Sequence, residues 1–588
     1  MVPSNGSTIS THHRGLLGAK DTVESIVVAF ILAFAFRAFV AEAFVIPTGS
    51  MAPNLYGMHR MHTCMVCGTE YAYGFSVMAG GQLAPPGELI CSNCGYRRDK
   101  QVADNPDNGD RIFVLKWLFD LGRMLPDVPP HGPRQWWHLF KPCRWDVVVF
   151  KDPNDGTTNF IKRLIGLPGE VLEIIDGDIY TARVADLEAT DEGRSVLAKL
   201  ERPRRFTEQV PFTPAEQRAL DRALTIQRKT HRAQQVLWLP VYHHDFFPIK
   251  KRELAGWKAT GKPSGWDTRD RGLRFEPAHG GDRRMDEIAF FRGAADLGGY
   301  DEAVGLPGER PVTDVYAYNG SHEGGLGRGE TIDVSDIRLS GVLVPRGGDG
   351  RLWLSLSKRD DCFTATFGSE GKVRLTRSSL RKRNGPAHLV GEVRIEPFHR
   401  DRPVRVALSN VDYRVSVWVD GRPVLETSDE DYPALPTGVH LAEYARGLKA
   451  DSSDASPEIR IGAEGMRLEL RHVAIDRDVY YRTLREQGRS IGWGVQSQPI
   501  YLRNQPERGI QEYYCLGDNS PLSKDSRLWT EIGPHLVERL ARGEYQFGTV
   551  PADQMIGRAF FVYWPAGFPL VHERLPLIPN VGNMRLIR

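Results

Sequence analysis

Ser50 stands in Phe44-Val45-Ile46-Pro47-Thr48-Gly49-Ser50-Met51-Ala52-Pro53, directly after an apolar stretch, and offers a hydroxyl for nucleophilic chemistry. Such a hydroxyl is a weak nucleophile until a neighbouring base takes its proton. The nearest imidazoles in sequence, His59 and His62, sit in no motif suited to that task. Lys162 stands in a more distinctive run, Asn159-Phe160-Ile161-Lys162-Arg163-Leu164-Ile165-Gly166-Leu167-Pro168-Gly169-Glu170. An ordinary lysine, with a pKa of about 10.4, is charged at neutral pH and useless as a base. Burial disfavours the ammonium and lowers that value by up to about 3–5 units. Ile161, Leu164, Ile165 and Leu167 are suitable walls, with Phe44 and Ile46 as further candidates, so the expectation is a neutral Lys162. Taken alone, Lys162 reads more readily as an exposed strand residue beside Arg163. A third polar segment, Gly517-Asp518-Asn519-Ser520-Pro521-Leu522-Ser523-Lys524-Asp525-Ser526-Arg527, lies far downstream.

A second chemistry is carried by cysteine. Four of the seven fall in two knuckles, Cys64-Met65-Val66-Cys67-Gly68 and Cys91-Ser92-Asn93-Cys94-Gly95. Paired CxxC turns bring four sulfurs toward one tetrahedral Zn²⁺, and four thiolates leave no open position, so the metal is structural. The 23 residues between the knuckles suit a zinc-ribbon hairpin. Two disulfides are the alternative in an oxidising compartment.

These groups need elements to position them. Residues Thr22 to Ala41, TVESIVVAFILAFAFRAFVA, make twenty positions that rise roughly 30 Å as a helix, enough to span a bilayer. A cleaved export signal competes, since Ala41-Glu42-Ala43 is a small-x-small site, but cutting there would strip Ser50 of its anchor. Arg14 and Lys20 precede the span and the next cation beyond it is Arg60, which points to a cytoplasmic N-terminus. Strands are read at Gly109 to Lys116 and Asp146 to Pro153. Thr213-Pro214-Ala215-Glu216 combines an N-cap, a first-turn Pro and a capping-box Glu, and so starts a helix. From about Lys250 to Tyr481 short strands and turn signals take over, among them Tyr413 to Val419 before the hairpin pair Asp420-Gly421. At 588 residues the chain holds several domains. A formal charge of +2, with 41% apolar and 26% charged residues, gives no nucleic-acid footprint.

The serine, lysine and Gly-Asp-Asn segments, in this order, resemble bacterial type I signal peptidases, the membrane-bound Ser/Lys proteases that remove signal peptides from exported proteins. The resemblance stops from about Tyr180 to Ile500, and Trp145 stands where the family usually has Gly. It implies a mainly β fold, a catalytic β domain after one transmembrane helix, interrupted by a zinc ribbon and an inserted β-sandwich of jelly-roll kind. The expected units are a cytoplasmic tail (1–21), the span (22–43), catalytic parts at 44–63, 98–180 and 482–588, the ribbon (64–97), a charged linker with a helix (181–249) and the sandwich (250–481). It assigns Ser50 as nucleophile and Lys162 as general base. Thr48 supplies an oxyanion donor beside the Ser50 N–H, Ser523 orients the Lys162 amine, Asp525 and Arg527 form a supporting ion pair, and Asp518 with Asn519 shapes the loop.

The function so implied is cleavage of preproteins after small residues through an acyl-enzyme. No cofactor serves that chemistry; the expected metal is structural zinc on Cys64, Cys67, Cys91 and Cys94. Expected partners are signal-peptide-bearing preproteins and membrane lipid, with no nucleic acid and a glycan entertained for the sandwich. The expected location is the inner (plasma) membrane, single-pass, with the catalytic domain extracytoplasmic. Two alternatives stand beside this: a membrane-tethered glycan-binding or scaffold protein on an inactive protease frame, and a Ser/Lys protease cutting one regulated partner.

Overall fold

The computed structural model describes residues 22–32, 34, 37, 40–77, 83–84, 89–98, 106–119, 140–252, 254–261, 263–277, 285–292, 312–314, 316–319, 332–380, 386–434, 457–486, 489–565 and 580–587. The expected tail 1–21 and part of the expected span lie outside them. Residues 22–32 are helical, and among the described residues no helix is long and apolar enough to cross a membrane.

The frame of the site is a nine-stranded antiparallel sheet ordered Ala41–Val45, Arg111–Leu115, Met555–Trp564, Val147–Lys151, Asn159–Gly166, Ile510–Leu516, Asn504–Gln505, with Val550–Pro551 and Arg585–Leu586 paired alongside. Val147–Lys151 reads as an unbroken apolar run because both faces of that strand are covered. Val147 and Val149 pack with Ile46, Met51 and Ile161, whereas Val148 and Phe150 pack with Leu164, Cys515 and Trp529. Lys162 pairs with Val148 across the sheet and therefore faces the second of these cores. A smaller sheet, Thr225–Ile226, Asp178–Arg183, Glu170–Ile175 and Ile500–Leu502, closes the catalytic part.

The expected linker holds four helices, Val184–Glu188, Asp191–Leu200, Pro214–Ala223 and His231–Leu237, the last three each started by a threonine whose side chain accepts from a first-turn N–H. Pro214–Ala223 carries the capping box expected at Thr213 and Glu216. The sandwich is built from an eight-stranded and a seven-stranded sheet that share one large core. Its first sheet already recruits Leu239–His243, ahead of the expected boundary at 250. Arg414–Val419 turns into Arg422–Glu426 through Asp420 at φ 47° and Gly421 at φ 78°, the paired left-handed turn expected of Asp-Gly.

The two cysteine knuckles are near-duplicates. Gly68 N–H donates to the Cys64 carbonyl and Gly95 N–H to that of Cys91, each at 2.9 Å, with the glycines at φ 79° and 75°. The hairpin His59–Thr63 with Glu70–Gly74 carries the first knuckle, and Leu89–Ile90 with Arg97–Arg98 the second.

Candidate active site

Lys162 Nζ donates to Ser50 Oγ at 2.8 Å and to its neighbour's Ile161 carbonyl at 3.0 Å. Both side chains are buried, Lys162 at 4% exposure and Ser50 at 8%. Burial pushes the Lys162 amine down to about 8, and the Asp525 carboxylate acts against that fall. The apolar walls differ in part from those expected. A strand sends alternate side chains to opposite faces. Ile161 accordingly joins the core of Phe44 and Ile46, and Ile165 joins another, whereas Leu164 and Leu167 lie in the core that Lys162 faces. Phe160, two residues back on that same face, puts its ring 5.0 Å from Nζ.

The serine lies in a single 3₁₀ turn, Gly49–Met51, whose shape is fixed from outside. Asn519 does most of this, its N–H donating to the Ser50 carbonyl at 3.0 Å and its Nδ2 to the Gly49 carbonyl at 2.9 Å. Gly517 must lack a side chain, because a Cβ there would lie 2.2 Å from Ser523 Oγ and 2.5 Å from the Ser50 carbonyl oxygen. Thr48 is exposed and its hydroxyl makes no cap bond, so it is not engaged elsewhere in the turn.

Asp525 and Arg527 form the expected pair, with Arg527 Nε donating to Oδ1 at 2.8 Å and Nη2 to Oδ2 at 2.7 Å. Asp525 also accepts from the Gly517 N–H at 3.0 Å. Asp518 does more than shape the loop. It takes both forks of Arg163, Nε to Oδ1 and Nη2 to Oδ2 at 2.7 Å each, with both side chains fully buried. Ser523 differs from expectation: its Oγ is buried without a hydrogen-bond partner, and does not hold Lys162. The Ile161 carbonyl takes that place. Trp145, the residue standing where glycine was expected, has φ 77°, the left-handed backbone that glycine adopts freely.

Residues of the inserted region complete this site, and the sequence reading missed them. Asn319 and Asn519 exchange amide hydrogen bonds at 3.0 and 2.8 Å, so the insert holds the residue that holds the serine turn. Tyr318 lies against the same turn: a Cβ on Gly49 would meet its ring at 2.2 Å and one on Gly74 of the ribbon hairpin at 2.4 Å. Insert, ribbon and catalytic sheet therefore meet at one tyrosine. Paired amides two hundred residues apart leave no local signal; the glycines at 49 and 74 were the only trace of it.

In the ribbon, the Cys64 and Cys94 sulfurs lie 3.7 Å apart and those of Cys67 and Cys91 3.5 Å apart, with all four thiols free. A tetrahedron with metal–sulfur bonds of about 2.3 Å has edges of about 3.8 Å. The donor set fits zinc in kind, number and spacing. A second acidic group, Asp178, Asp336 and Asp412, does not fit a cation site, because Lys358 bonds Asp336 at 2.5 Å and Lys229 bonds Asp412 at 2.7 Å.

An antiparallel β frame thus holds a serine hydroxyl against a buried lysine amine. The family described as signal peptidase, peptidase S26, matches residues 19–191 and 496–564, which carry all but one strand of the catalytic sheet, and skips the sandwich insert. Over those stretches the chain is similar to type I signal peptidases. Signal peptidase I of Rickettsia bellii (strain OSU 85-389) is 27% identical over 180 residues, 30% of this chain and 45% of that protein. Signal peptidase I of Rickettsia rickettsii (strain Sheila Smith) is 26% identical over 193 residues, 33% of this chain and 54% of that protein. The chain thus spans about half the length of the curated relatives it matches. Among solved structures, carbohydrate binding module CBM66 from Bacillus subtilis overlaps 38% of this chain and 96% of that one at 12% identity, with a TM-score of 0.22, too low to establish a shared fold.

Proposed function

We propose that this chain is a membrane-anchored signal peptidase that cleaves signal peptides from exported preproteins after small residues, with Ser50 as nucleophile and Lys162 as general base. The observation that carries the reading is the 2.8 Å contact between Lys162 Nζ and Ser50 Oγ, both buried side chains. The neutral amine takes the Ser50 proton as Oγ attacks the scissile carbonyl. The Ser50 N–H and the Thr48 hydroxyl then face the developing oxyanion. The ammonium returns its proton to the leaving amine, and the amine regenerated activates the water that releases the acyl group. Asp525 with Arg527, and Arg163 with Asp518, act as positioning pairs behind the serine turn and the lysine strand.

Anchoring is supported by the helical residues 22–32 and Phe34, where Val23, Ile26, Phe30, Ile31, Leu32 and Phe34 are 49–65% exposed, as lipid-facing side chains are. The anchor would sit in the inner membrane with the N-terminus cytoplasmic and the catalytic part extracytoplasmic. Tethering would raise the effective concentration of substrates held in the same bilayer. Cys64, Cys67, Cys91 and Cys94 would hold one structural Zn²⁺, which supplies rigidity beneath the serine turn. An inactive scaffold has no use for a buried amine, its pKa lowered to about 8, held against a hydroxyl, so that alternative is set aside.

The test is a preprotein whose signal ends in Ala-x-Ala. Wild type should cut it. Ser50→Ala and Lys162→Ala should each lose about 10⁴-fold or more in kcat, as removal of either member of a nucleophile–base unit does. Near-normal turnover by Lys162→Ala would refute the dyad.

A further inference from the structure

A groove of about 350 Å³ lies outside the catalytic part, on the outward face of the eight-stranded sandwich sheet, capped on one side by the helix His231–Leu237. Its floor follows strand alternation. Leu339, Leu408 and Val417 face the core, while their neighbours Ser340, Ala407 and Trp418, paired across three adjacent strands, face the groove. Small side chains at Ser340, Gly341, Ala407 and Ser409 make the recess.

Its walls are aromatic and cationic. Trp418 is half-buried, and its N–H donates to Ser409 Oγ at 3.1 Å, which fixes the ring. At the other end Trp238 stacks on the Arg338 guanidinium at 4.7 Å. Three arginines (Arg338, Arg405, Arg414) and two histidines line the groove, with no carboxylate among the lining residues. Arg338 is spoken for by Asp476 and Arg414 by the Lys229 carbonyl. Among the described residues the Arg405 guanidinium has no such partner. Gln234, 6% exposed and also lining the groove, donates to Asp478 yet leaves its Oε1 without a donor.

We propose that this groove binds an acidic saccharide. A sugar ring offers an apolar C–H face to an indole, a hydroxyl to Ser340, and a carboxylate to the Arg405 fork. The volume suits one or two sugar units, at the small end of ligand sites, about 300–1,000 Å³. An extended peptide fits less well. The floor strands Ile337–Gly347, Val404–Val411 and Arg414–Val419 are paired on both sides, leaving no free edge for main-chain recognition.

The experiment titrates the whole chain with uronate-, sialate- and muramate-containing oligosaccharides and with neutral oligosaccharides, following tryptophan fluorescence. Acidic saccharides should bind at least about tenfold more tightly than neutral ones. Trp418→Ala and Arg405→Glu should each weaken that binding at least about tenfold, and Ala407→Tyr, which fills the recess, should abolish it. Arg405 is exposed, so its variant tests the groove even where Trp418→Ala fails to fold. Preprotein cleavage should be unchanged in Arg405→Glu, which separates this claim from the protease. No binding of any acidic saccharide, equal binding of neutral ones, binding indifferent to Arg405→Glu, or displacement by acidic peptides alone would overturn the proposal.

Discussion

At the scale of residues, the site rests on groups whose charge is controlled by burial. Lys162 illustrates both what the sequence disclosed and where it stopped. Its motif and its need for apolar walls were legible, but the choice of walls ignored strand parity, which brings Phe160 to the amine and sends Ile161 away. The amine, held near 8, also ties stability to pH. Below about pH 8 both folded and unfolded chains carry the proton, and the cost of burying the charge is fully present. Between there and the ordinary lysine value, about 10.4, the unfolded chain binds a proton that the folded chain has released, so this site's contribution to stability rises with pH. Lys162→Met should remove that rise, measured as the difference in Tm between pH 8 and pH 10. Trp145 poses a different trade. Glycine would relieve a left-handed backbone worth about 1–2 kcal/mol, but emptying a buried indole costs about 3–5 kcal/mol. Trp145→Gly should therefore be destabilised overall in urea unfolding, although it restores the family's usual residue.

At the scale of elements, the serine turn and the lysine strand are brought into register by side chains remote in sequence. The Arg163–Asp518 pair joins the strand Asn159–Gly166 to the loop that grips the turn, with no solvent exposure at either partner. Removing one half strands the other charge, which costs about 3–5 kcal/mol. Arg163→Met should lower Tm by several degrees and reduce cleavage with it. Asn319→Ala should behave otherwise. It takes one amide pair from the brace, leaves the core intact, and should lower kcat roughly tenfold at nearly unchanged KM, through misplacement of Ser50. Unchanged kcat would assign Asn319 a purely architectural part. Hairpin and helix signals such as Asp420-Gly421 and the Thr213 capping box were legible because they are local. The braces were not, because no local rule links positions 319 and 519.

At the scale of the molecule, the insert and ribbon are wedged into the catalytic part. Arg527 Nη1 donates to the Arg482 carbonyl at 2.6 Å and to Ser520 Oγ at 2.7 Å, tying the segment just after the sandwich to the Gly-Asp-Asn loop. Arg292 donates to the Asn93 carbonyl at 3.0 Å, tying the ribbon to the sandwich. The ribbon hairpin in turn packs beneath Tyr318 and so beneath Gly49. Purified protein should contain about one zinc per chain, with Cys64→Ser losing it. Chelation should lower both Tm and cleavage, although zinc takes no part in bond breaking, because the ribbon supports the turn. Full activity after complete metal removal would separate the ribbon from the site. The family-like segments and the existence of the inserts were readable from motif order, whereas their convergence on one tyrosine depends on the assembled tertiary structure.

The most direct measurement is the pH dependence of kcat/KM on a soluble signal-peptide substrate, paired with NMR titration of the Lys162 amine. The account predicts a rate that rises through a midpoint near 8 and an amine that loses its proton over the same interval. An amine still ionised at pH 9 in active protein, or a rate that tracks some other group, would contradict it.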